Sequence, residues 1–369
     1  MPAEYTYDHW LKSLGLPLYT GFFIEDLRTL ELEWWEERQC STAFVKLMGQ
    51  EGVCEARITE IPPGKTLPPL KMAVDEIVYV IEGNGLASVW AGDQPRKPFE
   101  WQKFSMFMLP RHCWSQLSNM QGDKPARLLH YNFLPMAMTT IPDPEFFINN
   151  SHESPERLYG KEEFYSQAKI TTEETGIFKL TKPTDVLWSG NFFPDMRAWD
   201  KFTPFKGRGA GGSTIFVHFP DSEMDIHMSI FAEGTYKKGH RHGPGRVIVI
   251  PAGEGYSIMW EEGKEKVVVP WHEASMFVPP GNWFHQHFNV GTDPARYLAL
   301  RPPLQFSGYE GEKVKDRKRD QIEYPDEEPW IRQKFEEELA SRGLKSAMPQ
   351  IAYEDPAYEW DYQAAKAGG

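Results

Sequence analysis

Three histidines form the pattern in this sequence that is best suited to chemistry. His240 and His242 lie one residue apart in segment 234–255, where a turn leads into a run of β-branched residues. Because alternate residues of a β-strand face the same side, both imidazoles are predicted to point in one direction. His285, in segment 279–289, offers a third imidazole. Three neutral imidazoles can hold one face of a divalent ion and leave its other positions open, so the pattern predicts a metal site.

Other residues near this pattern are candidates for supporting roles. His287 follows His285 by two residues and would face the same side of a strand. It is a candidate alternative ligand, hydrogen-bonding partner of a ligand, or general acid/base, and a core histidine bonded to backbone is the competing interpretation. Tyr256, Trp260 and His227 are candidate walls of a substrate pocket, although aromatic residues are more often part of a core.

The segments that must position these residues belong to an internal repeat. Displacing the sequence by 170 residues aligns two long stretches without a gap. Matched residues include Gly64 with Gly234, Gly83 with Gly253, Trp101 with Trp271, Pro110 with Pro280 and Asn119 with Asn289. Such residues are rare or tied to special backbone geometry, so chance matches at one displacement are improbable. The chain therefore contains the same module twice.

The short segments of both modules predict an all-β organisation. Gly, Pro and Asn punctuate them at intervals typical of a sandwich or barrel. The predicted parts are a lead-in at 1–40, a first module at 41–135, a connector at 136–175, a second module at 176–306 and a charged helical tail at 307–369. Helices are predicted at Asp8–Ser13, at Pro155–Gln167 behind a Ser154 cap, and between an Asp326 cap and Gly343. The tail is expected to pack on a barrel or on a neighbouring subunit.

The second module resembles the two signature motifs of the cupin family. The residues that match are Gly234, His240, His242 and Gly253 in the first motif, and Pro279, Gly281, His285 and Asn289 in the second. Two positions depart from the family pattern, because Arg246 stands where a glutamate is usual and Glu273 stands where a glycine leads the second motif. One extra residue also precedes His285. The motifs nevertheless identify the module as similar to a cupin with three histidine ligands.

The first module keeps the frame of the same motifs without their ligands. Glu76 stands in the glutamate position, but Leu70, Met72 and Ser115 replace the three histidines. These side chains cannot hold a divalent metal stably. The resemblance therefore implies a bicupin with two tandem double-stranded β-helix (jelly-roll) barrels, short peripheral helices, and a metal site in the second barrel alone. The first barrel is expected to be structural and dimer-forming, with a vestigial pocket as the alternative.

Arg246 permits two interpretations. A guanidinium cannot ligate a metal, but its planar fork can pair with a carboxylate or phenolate of a substrate. Alternatively, Arg246 forms a structural ion pair, for which Glu233 and Glu254 are candidate partners. In either case a site of three histidines keeps the full charge of its ion, which favours a substrate that binds as an anion.

The resemblance covers most of residues 41–306 and is nearest to the gentisate-dioxygenase-like group. Enzymes of that group usually hold iron in the first barrel, whereas only the second barrel is competent here. The loss of the glutamate favours an Fe(II) dioxygenase that acts with O2 on a small aromatic, carboxylated or thiol substrate. The alternatives are a redox-neutral lyase, isomerase or decarboxylase with Zn, Mn or Ni, which needs a general acid/base, and a non-catalytic ligand-binding bicupin.

The composition of the chain excludes some classes of binding partner and indicates a cellular compartment. A net charge of −13 and a pI near 5.4 argue against nucleic acid and anionic membrane as partners. The three cysteines show no CxxC spacing, which is typical of a reducing cytoplasm. Neither a secretory signal pattern nor an apolar run of membrane length is present. A cytoplasmic protein that forms a homo-oligomer, a dimer or a tetramer, is therefore expected.

Overall fold

The computed structural model describes residues 4–159, 165, 168–171, 187–198, 202–204, 206–303 and 317–360 of the 369-residue chain. Within these ranges the strands form two barrels, and each barrel consists of a large and a small sheet. Most neighbouring strands pair in antiparallel fashion, and Leu18–Gly21 and Leu187–Ser189 each add a parallel strand to a large sheet. The predicted class, an all-β chain of two tandem barrels with short peripheral helices, is confirmed.

The first barrel is built mainly from residues 18–132. Its large sheet contains Leu18–Gly21, Glu33–Trp35, Cys40–Leu47, Glu55–Ile61, Glu76–Glu82, Met106–Leu109, Ala126–Asn132 and Phe192–Phe193. Its small sheet contains Leu70–Lys71, Asn84–Trp90, Lys97–Gln102 and Trp114–Asn119. The strand Asn84–Trp90 alternates between buried and less buried residues, as expected where one sheet face packs inward.

The second barrel repeats this plan. Its large sheet contains Phe23–Ile24, Lys169–Thr171, Leu187–Ser189, Thr203–Pro204, Ser213–His218, Asp225–Phe231, Val247–Ala252, Met276–Phe277 and Ala295–Arg301. Its small sheet contains Gly239–His240, Gly255–Trp260, Lys266–Trp271, Phe284–Asn289 and Gln321–Ile322. The buried asparagines of the repeat, Asn119 and Asn289, bond backbone carbonyls of the adjoining loops, which explains their presence in both barrels.

Each barrel contains one short strand that comes from the segment of chain preceding the other barrel. Phe23–Ile24 pairs with Met276–Phe277 of the second barrel, and Phe192–Phe193 pairs with Met106 and Phe107 of the first. One apolar core also runs through the first barrel and includes residues such as Ile226 from the large sheet of the second. The two barrels are therefore tied together by backbone pairing and by a shared core.

The α-helices are short and peripheral. They span Thr6–Leu14, Leu134–Thr140, Pro144–Phe147, Arg317–Asp320 and Pro329–Ser341, and 3-10 turns span Glu36–Arg38, Met48–Gln50, Pro155–Arg157, Lys206–Arg208, Tyr324–Asp326 and Gln350–Tyr353. No helix in the described part of the chain combines the length and the apolar character needed to cross a bilayer.

The structure confirms some of the predicted helices and not others. The helix at Asp8–Ser13 is confirmed within Thr6–Leu14. Behind Ser154 only a 3-10 turn, Pro155–Arg157, forms, and most of the rest of that predicted helix lies outside the described residues. In the tail, Asp326 ends a 3-10 turn and the helix begins at Pro329, because the intervening residues are extended. Gly343, with φ of 73°, follows the end of the helix as predicted.

The tail packs on the second barrel, which is one of the two positions expected from the sequence. Gln321–Ile322 adds a strand beside Gly239–His240. The helix Pro329–Ser341 buries Ile331, Phe335 and Leu339, which are spaced four residues apart on one face. These side chains cover the outer face of the small sheet. The strand that carries His240 is paired on both edges, with Phe284–Asn289 on one side and Gln321–Ile322 on the other.

Candidate metal centre

Two adjacent strands of the small sheet position the first and third histidines. His240 lies directly opposite His285 in the antiparallel pairing. His242 lies beyond the end of its strand, which stops at His240, so a loop and not strand alternation aims its ring. The Asn282 amide donates to the His242 carbonyl over 2.7 Å and links this loop to the segment before His285.

The three imidazoles converge in the interior of the second barrel. One ring nitrogen from each of His240, His242 and His285 lies within 4.8 Å of the others. The ring centroids of His240 and His242 lie 4.3 and 4.5 Å from that of His285. All three side chains are buried. The structure therefore brings together the residues that the sequence motifs single out.

The hydrogen bonds of these rings fit a metal site. Each Nδ1 donates to a backbone carbonyl, from His240 to Lys238 over 3.0 Å, from His242 to Gly243 over 2.8 Å and from His285 to Trp283 over 3.2 Å. Because a carbonyl only accepts, the proton sits on Nδ1 and leaves Nε2 with its lone pair. The Nε2 atom of His285 is buried without a hydrogen-bond partner in the described protein, as expected for an atom that faces an ion.

The protonation state of the three rings also fits. Burial lowers the pKa of His240 and of His242 well below the usual value. Burial, together with the charges of Arg246 and Arg208, lowers the pKa of His285 to about 3. Imidazoles that are neutral at pH 7 are the form that ligates metals, so the donor set suits a divalent ion.

His287 lies beside this group. Its ring centroid is 5.5 Å from that of His285, and its Nδ1 shares a 2.8 Å hydrogen bond with Ser257 Oγ. Trp271 Nε1 donates to the same hydroxyl over 3.1 Å. This hydrogen bond engages Nδ1 of His287, and His287 is not a member of the group of convergent nitrogens found among the described residues.

A buried lysine and tyrosine lie next to His287. Lys237 Nζ donates to Tyr297 Oη over 3.0 Å and to Ser229 Oγ over 3.1 Å, and the Tyr297 ring centroid is 5.1 Å from that of His287. Burial lowers the pKa of Lys237. Burial opposes ionisation of Tyr297, but the charge and hydrogen bond of Lys237 outweigh it, so the pKa of Tyr297 is also lowered. Both groups therefore lose their proton at a lower pH than they would in water.

The charges that act on the site from the described residues are positive. Beyond the effect of burial, the pKa of His227 is lowered by Arg301, Arg246, Lys237 and Arg208, in that order. Arg246 is buried, and its charge also lowers the pKa of His242 and His285. An anion that enters this space meets a favourable potential.

The position of Arg246 bears on its two interpretations. Its charge acts on the histidines that face the barrel interior. Glu254, one candidate partner for a structural ion pair, pairs with Arg342 of the tail. Glu233, the other candidate, is exposed, whereas Arg246 is 7% exposed. The two interpretations of Arg246 both remain predictions.

Two predicted pocket residues lie elsewhere. Tyr256 and Trp260 face the outer side of the small sheet, where Tyr256 stacks on Phe288 at 4.6 Å and both belong to the cluster under the tail helix. Ser257 and Met259 lie between Tyr256 and Trp260 in the sequence. Ser257 pairs with His287 and Met259 with His285, so these residues share one face of the sheet. Tyr256 and Trp260 therefore do not line the site. His227 is buried, with its ring centroid 5.7 Å from that of Tyr297.

Some residues of the site carried no recognisable signal in the sequence. Tyr297 lies on a strand of the large sheet and Lys237 lies in the segment that leads into the strand Gly239–His240, and the two meet only in the folded barrel. Arg208 comes from the glycine-rich loop 207–212, and its carbonyl accepts from the Lys238 amide over 3.0 Å. A lysine in the apolar interior of a barrel is rare without a partner, but its burial cannot be read from the local pattern.

The first barrel shows the same scaffold without the ligands. Leu70 pairs with Ser115 in the register that corresponds to His240 and His285. Ser115 Oγ donates to the Leu70 carbonyl over 3.1 Å, so its hydroxyl is satisfied by backbone. The metal-ligand cluster found among the described residues lies in the second barrel.

No protein-family model matches the chain, and no curated protein matches it. Among solved structures, oxalate decarboxylase from Bacillus subtilis at pH 4.6 is similar, with 10% identity and a TM-score of 0.46, over 76% of this chain and 76% of that chain. Oxalate decarboxylase from Lactobacillus farciminis in a formate complex has 12% identity and a TM-score of 0.46, over 78% of this chain and 87% of that chain. Likeness at this distance carries no conclusion about the chemistry of this chain.

Proposed function

We propose that the protein is a metal-dependent enzyme that catalyses a redox-neutral reaction, a lyase, isomerase or decarboxylase reaction, on a small carboxylated anion. The observation that carries this proposal is the Lys237–Tyr297 pair, which lies beside His287, the neighbour of His285. A reaction of this class needs a general acid/base near the metal. An oxygenase reaction, in which the substrate donates electrons through the metal, has less need of a general acid/base.

The histidines would hold the ion, and the cations would hold the substrate. His240, His242 and His285 supply three neutral nitrogens that suit Mn, Ni, Zn or Fe(II). A bound divalent ion would supply Lewis-acid polarisation of a carboxylate or carbonyl oxygen. Arg246 would orient the substrate by a paired hydrogen bond to a carboxylate, since its planar fork matches that group.

The lysine and tyrosine would move the proton. Tyr297 Oη, whose pKa is lowered chiefly by Lys237, would accept a proton from substrate or return one to product. Lys237 would stabilise the phenolate through the hydrogen bond it already donates. Ser229 would hold the ammonium in place through its hydroxyl. The barrel interior excludes water from this exchange, which strengthens each of these interactions.

The second candidate function is the Fe(II) dioxygenase that the sequence favoured. The specific observation in its support is that the ligand cluster among the described residues consists of histidines alone. Without a carboxylate ligand the ion keeps its full charge, and an anionic aromatic or thiol substrate would neutralise it. The gentisate-dioxygenase likeness, iron as the metal and O2 as co-substrate remain predictions.

One experiment separates the two candidates. The metal-free protein is reconstituted with Zn, Mn, Ni or Fe(II) and assayed against a panel of small mono- and dicarboxylates, hydroxybenzoates and thiols, with and without O2. The proposal expects turnover under strict anaerobiosis and with a redox-inactive ion such as Zn. Turnover that occurs with iron alone and consumes O2 would establish the dioxygenase in its place. The absence of turnover in every combination would contradict both.

A further inference from the structure

The interior of the first barrel contains a cavity of about 230 Å³. Leu70, Met72 and Ser115, which occupy the ligand positions of the other barrel, line it. Trp10 and Trp35, contributed by the segment before the barrel, form part of its wall. The cavity therefore occupies the place of a metal site, but its surface there is mainly apolar.

One side of this cavity is formed by a buried ionic network. Arg57 Nη2 donates to Glu76 Oε1 over 2.8 Å, and His130 Nδ1 bonds Glu76 Oε2 over 2.9 Å. Burial opposes ionisation of Glu76, but Arg57 and His130 outweigh it and lower the pKa of Glu76 to about 2. An ionised carboxylate only accepts hydrogen bonds, so the proton of His130 sits on Nδ1.

The other ring nitrogen of His130 is an acceptor without a partner. Burial lowers the pKa of His130, so the ring is neutral and Nε2 carries a lone pair. The side chain of His130 is 4% exposed and lines the cavity, and Nε2 has no hydrogen-bond partner among the described residues. A buried acceptor without a donor raises the free energy of the folded protein. A molecule with a hydroxyl or N–H donor would recover that cost.

The charges around the cavity favour a neutral molecule. The Arg57 guanidinium is paired with the carboxylates of Glu55 and Glu76. Arg38 and Glu37, which also line the cavity, carry opposite charges. Neither sign is therefore in clear excess, in contrast to the positive interior of the second barrel.

We propose that the first barrel is a metal-free binding site for a small hydroxylated aromatic molecule of the phenol class. Its ring packs against Trp10, Trp35 and the apolar side chains Leu70 and Met72, and its hydroxyl donates to His130 Nε2. Aromatic walls favour a planar ring over an aliphatic alcohol of the same size. A cavity this small holds a single ring and excludes drug-sized molecules. The site is independent of the function proposed for the second barrel.

Calorimetric titration of the full-length protein with phenol and with toluene tests the site. We expect phenol to bind at least about tenfold more tightly than toluene, because a site that accepts a hydrogen bond discriminates against an analogue that lacks the donor. Leu70→Trp, which fills the cavity, is expected to weaken phenol binding by at least about tenfold. Val268→Trp places the same side chain on an exposed strand of the second barrel and should leave binding unchanged.

Two further measurements keep the test decisive if Leu70→Trp does not fold. Crystals soaked with 4-bromophenol should show anomalous bromine signal inside the first barrel. The variant His285→Ala, which removes a ligand of the second barrel, should bind phenol as the unaltered protein does. Equal affinities for phenol and toluene, bromine only in the second barrel, or loss of phenol binding in His285→Ala would each overturn the proposal.

Discussion

His240 lies directly opposite His285 on neighbouring antiparallel strands, and their ring centroids are 4.3 Å apart. The corresponding pair in the first barrel, Leu70 and Ser115, keeps the same register without any ligand. The first barrel shows that this strand pairing forms without histidines at these positions, so we expect the second barrel to fold without a bound metal. It follows that loss of a ligand should affect metal binding far more than folding.

The first prediction concerns the metal. His285→Ala removes the imidazole that faces both other ligands, and we expect metal affinity to fall by at least about a hundredfold, since two imidazoles cannot hold one face of the ion. Metal content after dialysis against a competing chelator, measured by mass spectrometry, checks this. His9→Ala, at an exposed histidine of the first helix, serves as the matched control. Equal metal content in the His285 variant and the control would refute the ligand assignment.

The second prediction concerns proton transfer. Tyr297→Phe removes the hydroxyl bonded to Lys237, and kcat is expected to fall by about 10²- to 10⁴-fold while metal content is unchanged. The matched control is Tyr256→Phe, which makes the same chemical change on the outer face of the small sheet. The pH dependence of kcat should also lose the limb that Tyr297 produces. A Tyr297 variant as active as the control would exclude the acid/base role.

The third prediction concerns pH and the tail. Burial raises the pKa of Glu327 to about 7, although Tyr236 and Gln286 donate hydrogen bonds to its carboxyl group. A folded-state pKa above the unfolded value of 4.5 means that Glu327 contributes stability below pH 4.5, and that this contribution is lost as pH rises through 7. Glu327→Gln removes this dependence.

Unfolding by urea at pH 5 and at pH 8 measures the effect. Relative to Glu327→Gln, the unaltered protein should lose about 3 kcal/mol over the full interval from below pH 4.5 to above pH 7. Glu328→Gln, at the exposed neighbouring carboxylate, should follow the unaltered protein. A difference between the Glu327 variant and the unaltered protein that does not change with pH would show that folding does not shift the pKa of Glu327.

The fourth prediction concerns the cover of the small sheet. Phe335 is fully buried and packs against Tyr236, with ring centroids 4.8 Å apart. Phe335→Ala should lower the free energy of unfolding by about 3–5 kcal/mol, because it leaves a cavity behind the strand that carries His285. Phe146→Ala, at a phenylalanine that is 45% exposed, should change it by less than about 1 kcal/mol. Similar values for the two variants would mean that the tail helix is not part of the cooperative fold.

The sequence predicted the architecture because its signals are local and repeated. Glycines, prolines and asparagines recur at one displacement, and each is required by backbone geometry or by a loop bond that both barrels share, as Asn119 and Asn289 show. The exchange of Phe23–Ile24 and Phe192–Phe193 between barrels was not predicted. Two-residue strands carry too little pattern to reveal their partner, which is fixed by where the chain enters each barrel.

The candidate site was predicted in part. The three histidines follow from motif spacing, but Tyr256 and Trp260 were assigned to the wrong side of their sheet. Their strand pairs with Phe284–Asn289 in a register that places Ser257 opposite His287. A shift of one residue would have exchanged the two faces, and no feature of the strand itself determines that register.

The sequence by itself therefore determined the repeat, the all-β class and the three imidazoles that can meet on one ion, since these depend on residue type and spacing. Only the tertiary structure decided which groups surround them. Lys237 and Tyr297 are 60 residues apart in the sequence and become a buried hydrogen-bonded pair only when the barrel closes around them. In the first barrel, folding buries His130 Nε2 without a donor from the part of the chain that the structure describes. Burial and long-range pairing set the pKa and the partner of each group, and both are properties of the folded chain.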